Sequence, residues 1–164
     1  MAKKQKLDLG LIATFVAILL GVVAVITLFL PAIAIEEMET TYTGLQVAFG
    51  YTKETEVFNS VIKTEVFEFS FMNLLTYILA IVGVVFTVLG FLGKGGKFAT
   101  LIATIAFVLA GVFFLLTVAF TIPAVDESLV EKLKETFKLG VGAIIGAICS
   151  FLSAIASGYK LLVK

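Results

Sequence analysis

No histidine, arginine or tryptophan occurs anywhere in the 164 residues, and Cys149 is the only cysteine. These absences exclude Cys/His metal centres, histidine-based catalysis and any disulfide within the chain. Charge is scarce too, at 15%, and the twelve basic residues, all lysines, form no patch of the kind that holds nucleic acid. The long apolar runs carry no charge except Lys160 in the last turn of the final one, where it can snorkel to the interface. The mid-bilayer carboxylates and lysines that mark proton relays and ion-coupled transport are therefore missing. The chain reads as a non-enzyme with no cofactor and no metal.

What is present is apolar surface: 60% hydrophobic residues and a mean hydropathy of +1.15. A hydrocarbon core of about 30 Å needs about 20 mainly apolar residues per helix, and only helices or closed barrels satisfy their backbone there. Four runs qualify, at residues 9–30, 73–92, 98–122 and 139–162. They predict an all-α membrane protein, a single four-transmembrane-helix bundle over residues 1–164. Lys3, Lys4 and Lys6 before the first run also fit a secretory signal, but 22 apolar residues exceed a signal core of about 7–15, so an uncleaved first helix is expected. Both prolines, Pro31 and Pro123, fall at run boundaries.

Lysine distribution sets the expected orientation, because short cytoplasmic loops carry the positive excess. With the N-terminus inside, the inner side holds seven lysines and Asp8, or +6; the outer side holds eleven acids and five lysines, or −6. Both termini are expected to be cytoplasmic, in a plasma membrane. The outer loops are then residues 31–72 and 123–138, and residues 93–97 form the inner turn.

The first outer loop changes to a period of two, the sign of strands. In "TYTGLQVAFGYT", Leu45, Val47, Phe49 and Tyr51 would share one face; in "VIKTEVFEFSF", Phe67, Phe69 and Phe71 would oppose Val66, Glu68 and Ser70. Residues 52–55 would form the turn of a small extracellular β-hairpin or sheet whose apolar face rests on the helix ends or on a partner. Tyr42, Leu45, Val47, Phe49, Tyr51, Phe67 and Phe69 are its candidate interaction residues. The acidic "EEMET" lacks the spacing of a calcium loop and reads as a solvated linker. "PAVDESLVEKLKETFKLG" predicts a short amphipathic helix capped by Asp126 or Ser128, with Ser128 and Glu131 spaced as a capping box and Leu129, Val130, Leu133 and Phe137 as its stripe. "GFLGKGGKF" lacks the Gly and hydroxyl positions of a phosphate loop and reads as a helical hairpin turn.

This layout, with the local sequence "YTGLQ", resembles the claudin-like four-span membrane proteins. Gly44 and Leu45 match two positions of that family's Gly-Leu-Trp triplet; Gln46 stands at the Trp, and the family's two loop cysteines have no counterpart. The resemblance implies adhesion, barrier formation or assembly through lateral and outer-loop contacts; pore and junction functions are not carried over. The total lack of Arg, His and Trp fits a bacterial protein.

In the fourth run, Gly142, Gly146, Ser150, Ala154 and Gly158 recur every fourth residue. At about 100° per residue, all eleven Gly, Ala and Ser residues between Gly140 and Gly158 fall within about 200°, with Val141, Ile144, Ile145, Ile148, Phe151, Leu152 and Ile155 opposite. Small residues allow the close backbone approach that drives helix association in lipid. An arc so wide predicts two neighbours: the first helix through Ala13, Ala17 and Gly21, and the third through Ala99, Ala103, Ala106 and Ala110. Homodimerisation through the same repeat is the rival. Thr100, Thr104, Ser150, Ser153 and Cys149 read as packing residues. The expected function is a non-enzymatic membrane scaffold or interaction protein acting through helix packing and the outer loop, its partners the lipid bilayer and other membrane proteins or a second copy. A small channel or transport component is the alternative.

Overall fold

A computed structural model describes residues 8–163. Four helices in it are long and apolar enough to cross a membrane: α1 (Leu9–Ile26, prolonged by a 3₁₀ turn to Phe29), α3 (Phe71–Phe91), α4 (Gly96–Leu115) and α7 (Val141–Leu162). Asp8 starts α1 by accepting hydrogen bonds at Oδ1 from the Gly10 and Leu11 amides, and Ser70 starts α3 by accepting from Asn73 N–H. The α3–α4 turn uses Gly93, Gly95 and Gly96 at positive φ. Around the bundle the order is α1, α3, α4, α7, with α1 and α3 the looser seam. The Phe15–Phe91 ring contact and the hydrogen bond from Lys160 Nζ to Gly90 O place the start of α1, the end of α3 and the end of α7 together. This is the terminal end of the bundle; the opposite one is the loop end.

The interior is built from aromatic rings set against glycines. Phe107 of α4 lies against Gly21 of α1 and Gly83 of α3, so that a Cβ added at either would stand under 3 Å from its ring. Phe114 lies against Gly146 and Phe151 against Gly111 in the same way. Ala17, Ala24, Ala80, Ala103, Ala110 and Ala147 fill the spaces between, and this interdigitation supplies close dispersion contacts between the helices. The hydroxyls of Thr14, Thr76, Thr87 and Thr100 return to carbonyls of their own helices. Ser153 reaches across instead, donating to Ala17 O of α1, and Thr104 does both, donating to Thr100 O of its own helix and bonding the Ser157 hydroxyl of α7.

At the loop end, β1 (Pro31–Ile35) is the centre of a three-stranded antiparallel sheet between β2 (Thr40–Thr43) and β5 (Phe137–Leu139), with Ile33 opposite Tyr42 on one side and Leu139 on the other. A second sheet is the hairpin of β3 (Tyr51–Val57) and β4 (Ser60–Phe67). Between them lies α2 (Gly44–Phe49); α5 (Thr117–Phe120) and α6 (Glu127–Glu135) fill the other loop.

Several expectations are overturned here. Gly44–Phe49 is helical, not extended, because Thr43 and Gln46 form a reciprocal capping box that starts α2. Leu45, Val47, Phe49 and Tyr51 therefore share no strand face. Residues 52–55 lie inside β3; the turn is Phe58–Asn59, both at positive φ, as a two-residue hairpin loop requires. The alternation of Phe67, Phe69 and Phe71 ends with β4, since Phe71 begins α3. Ser128 and Glu131 form no capping box: α6 starts at Asp126, which makes no side-chain cap bond. Phe137 leaves the amphipathic stripe for β5, where it is buried. The third run is broken at Leu116, whose amide is drawn to both Val112 O and Phe113 O.

α7 lies between α1 and α4. Its outward residues are Val141, Ile144, Ile148, Leu152 and Ile155, whereas Phe151 turns inward onto Gly111. Gly21 faces Val84 and Phe107, not α7, and Ala13 is half-buried. Replacing Gly146 with Leu should lower the thermal midpoint in detergent sharply, since its first carbon would meet Phe114 at 2.6 Å, with overpacking costs of about 1–3 kcal/mol or more. Ile148→Leu, on a side chain 54% exposed, should cost less than about 0.5 kcal/mol, and equal tolerance of the two would refute this assignment of faces.

Candidate functional site

The loop end is held to the bundle by contacts that leave no room for side chains. Gly140 packs against the Pro31 carbonyl, where any Cβ would collide, while its amide donates to Ala32 O at 2.8 Å. Gly142 meets Leu30 and Pro31, and Gly44 lies against the Tyr77 phenol. Asn73, in the first turn of α3, is fully buried: its Nδ2 donates to Val47 O at 3.2 Å and to Thr121 Oγ1 at 2.9 Å, so one amide ties α2, α3 and the α5 segment together. Its Oδ1 is buried without a hydrogen-bond partner among the described residues. Ser70 adds a bond from its hydroxyl to Phe120 O, and Glu68 N–H one to Ile122 O.

Upon this base sits an aromatic cluster. Tyr42 meets Phe67 edge-on at 4.7 Å and Tyr51 at 5.9 Å, and Phe67 meets Phe137 at 5.9 Å. Burial, and then the neighbouring Tyr51, raise the Tyr42 phenol above its ordinary pKa. Glu36 of the acidic segment pairs with Lys138 of β5, joining the two loops.

Of the residues expected to form an interaction surface, Tyr42, Val47, Tyr51 and Phe67 belong to this interior or its margin. Leu45, Phe49 and Phe69 are exposed, the last two with rings 6.5 Å apart. On α7, Gly142, Gly146, Ser150 and Ala154 are buried and Gly158 is half-buried beside Thr104. Ser150 Oγ has no hydrogen-bond partner among the described residues.

Among the described residues the β3–β4 hairpin is held only at its base, through Tyr51, Phe67, the Phe67–Pro123 bridge and a hydrogen bond from Ala124 N–H to Val66 O; residues 52–65 are exposed. Strands of seven and eight residues at about 3.4 Å per residue carry it about 24 Å from that base. Opposed residues share a face. Thr52–Glu65, Glu54–Lys63 and Glu56–Val61 make one face acidic, while Lys53–Thr64, Thr55–Ile62 and Val57–Ser60 make the other apolar and hydroxyl-bearing, without a carboxylate. At the tip stands Phe58, 100% exposed and at φ 49°, a left-handed conformation that a bulky side chain rarely adopts. Residue spacing did not point to this tip; Asn59, of a type that tolerates positive φ, is the one local signal for the turn.

Among the described residues no cluster of Cys, Asp and Glu is arranged to hold a metal ion. Comparison with protein families, with curated proteins and with solved structures finds no match.

Replacing Asn73 with Asp removes the donor to Val47 and Thr121 and buries a carboxyl; the loop end should lose about 2–3 kcal/mol, read as faster proteolysis of residues 31–70 with α-helical content unchanged. Because the Tyr42 pKa is raised on folding, its contribution is intact below about pH 10 and is lost as pH rises further. Alkaline unfolding followed by tyrosine absorbance should be shallower in Tyr42→Phe than in the natural chain.

Proposed function

We propose that the chain is a non-enzymatic scaffold or interaction protein of the membrane, with the four-helix bundle as anchor and the β3–β4 hairpin as the contact element. The observation that carries this reading is Phe58: a fully exposed aromatic, at a strained φ, on the tip of an arm tied down only at its base. Strain at such a position is typical of sites kept for function at a cost of about 1–3 kcal/mol, and aromatic anchors dominate the energetics of interfaces. Lysine asymmetry supports a plasma-membrane arrangement with both termini in the cytoplasm and the hairpin outside. The claudin-like layout points the same way, toward assembly through an outer loop. A channel is disfavoured because Phe107, Phe114 and the alanines fill the space between the helices.

The test separates binding from folding. Phe58→Asn suits the turn better, and should leave thermal stability unchanged or raise it by about 1 kcal/mol. It should also abolish photo-crosslinks formed in native membranes by benzoylphenylalanine placed at residue 62. Unchanged crosslinks would remove Phe58 from the contact, and solute flux through liposomes containing the purified chain alone would favour the channel.

A further inference from the structure

The terminal end carries a crevice of about 420 Å³ between α1, the end of α3 and the end of α7. It is within the range of about 300–1,000 Å³ usual for small-molecule sites. It combines two opposite charges with apolar walls: Asp8 and Lys160 line it, together with Thr14, Leu11 and Phe91. Asp8 Oδ1 is engaged by the Gly10 and Leu11 amides, which fixes this exposed carboxylate on the wall of the crevice. Lys160 Nζ donates to Gly90 O at 3.3 Å, which holds the half-buried ammonium inward with two further N–H groups to give.

The crevice does not stand alone. The Phe91 ring on its wall touches Phe15, and from Phe15 a shallow groove runs along α1 over Ile18, Leu19 and Val22. That groove has almost no polar lining, and at Val22 it meets a second apolar groove in the α1–α3 seam, bounded by Val25, Ile81 and Val84. Leu11 and Val22 are eleven residues apart, about 16 Å along the helix axis. One leaflet of hydrocarbon is about 15 Å deep, half of a core of about 30 Å.

From this continuity of a two-charge crevice and a leaflet-deep apolar groove, we infer that the terminal end binds one phospholipid with a primary-amine headgroup, of the phosphatidylethanolamine type. Lys160 takes the phosphate, Asp8 takes the ammonium, and an acyl chain lies along Leu11, Phe15, Ile18 and Val22. A phosphatidylglycerol-type headgroup, which has no amine, offers Asp8 no cation to pair with. A trimethylated amine has no N–H to give Asp8. The inference rests on the reading that the four helices cross a bilayer.

The full chain in detergent, titrated with dioleoyl-phosphatidylethanolamine, -phosphatidylcholine or -phosphatidylglycerol and followed by native mass spectrometry, tests it. The ethanolamine lipid should bind about tenfold more tightly than either of the others, the change expected of one charge-assisted hydrogen bond. Asp8→Asn should erase most of the preference over phosphatidylcholine. Lys160→Ala should weaken the ethanolamine lipid, and Lys160→Arg should restore it. Circular dichroism melting checks that each variant folds, and Ile148→Leu on the far face of α7 serves as the unaffected reference. Equal binding of the three lipids, a preference that survives Asp8→Asn and Lys160→Ala together, or full competition by soluble glycerophosphoethanolamine would overturn the inference. Alkaline carbonate extraction of membranes is read beside it: a chain that is extracted refutes the bilayer reading, whereas one that is retained but shows no lipid preference refutes only the lipid site.

Discussion

Every other feature of this molecule hangs on aromatic rings pressed against glycine backbone. Apolar helices set among lipid tails have no water to expel from between them, so in such a setting close contact has to supply the attraction. Phe107 against Gly21 and Gly83 joins three helices at one point; Phe114 on Gly146 and Phe151 on Gly111 join α4 to α7 twice more. The arrangement is reciprocal, since α7 offers a glycine to one ring and a ring to another glycine. Two hydroxyl bonds, Ser153 to Ala17 O and Thr104 to Ser157, then fix the rotation of α7 against α1 and α4. A bundle closed in this way has its small residues committed to its own interior.

The same economy of side chains joins the bundle to its loops. At Gly140 and Gly142 the start of α7 lies directly on the backbone of Pro31, so β1 leaves α1 against a helix end. β1 is then trapped between β2 and β5, and Asn73 locks α2 beneath. Rigidity ends there. Among the described residues, the hairpin beyond Tyr51 and Val66 makes backbone bonds only with itself, so a well-tied base carries an exposed arm. A binding element positioned by a rigid scaffold is a common division of labour between core and loop.

Residue spacing made some of this legible. The four apolar runs, the glycine-lined α3–α4 turn, the exposed α6 and the small-residue face of α7 follow from composition and a period of 3.6, which depend on local chain geometry alone. The Thr43–Gln46 capping box was also written in the sequence, but the period of two across residues 41–52 concealed it. A short apolar run reads equally as strand or helix, and here the cap at Thr43 decides for helix. β5 carried no local sign. Phe137 and Leu139 are extended because β1 is there to receive their hydrogen bonds, an interaction between residues about 100 apart.

The candidate contact site divides in the same way. That the first loop carries a strand-forming arm was readable from the period of two in "VIKTEVFEFSF", whose residues 61–67 lie in β4; the place of its turn was not. Which aromatics are spent on the interior, as Tyr42 and Phe67 are, and which is left fully exposed, as Phe58 is, depended on where the sheet closed over the helix ends. By itself the sequence determined the number of long apolar helices and the side of α7 that packs. Only the tertiary structure decided the strand partners, the turn at Phe58–Asn59 and the meeting of Asp8 with Lys160 in one crevice. The physical reason is range: periodicity and charge act within a few residues, whereas pairing and burial depend on which distant backbone arrives alongside.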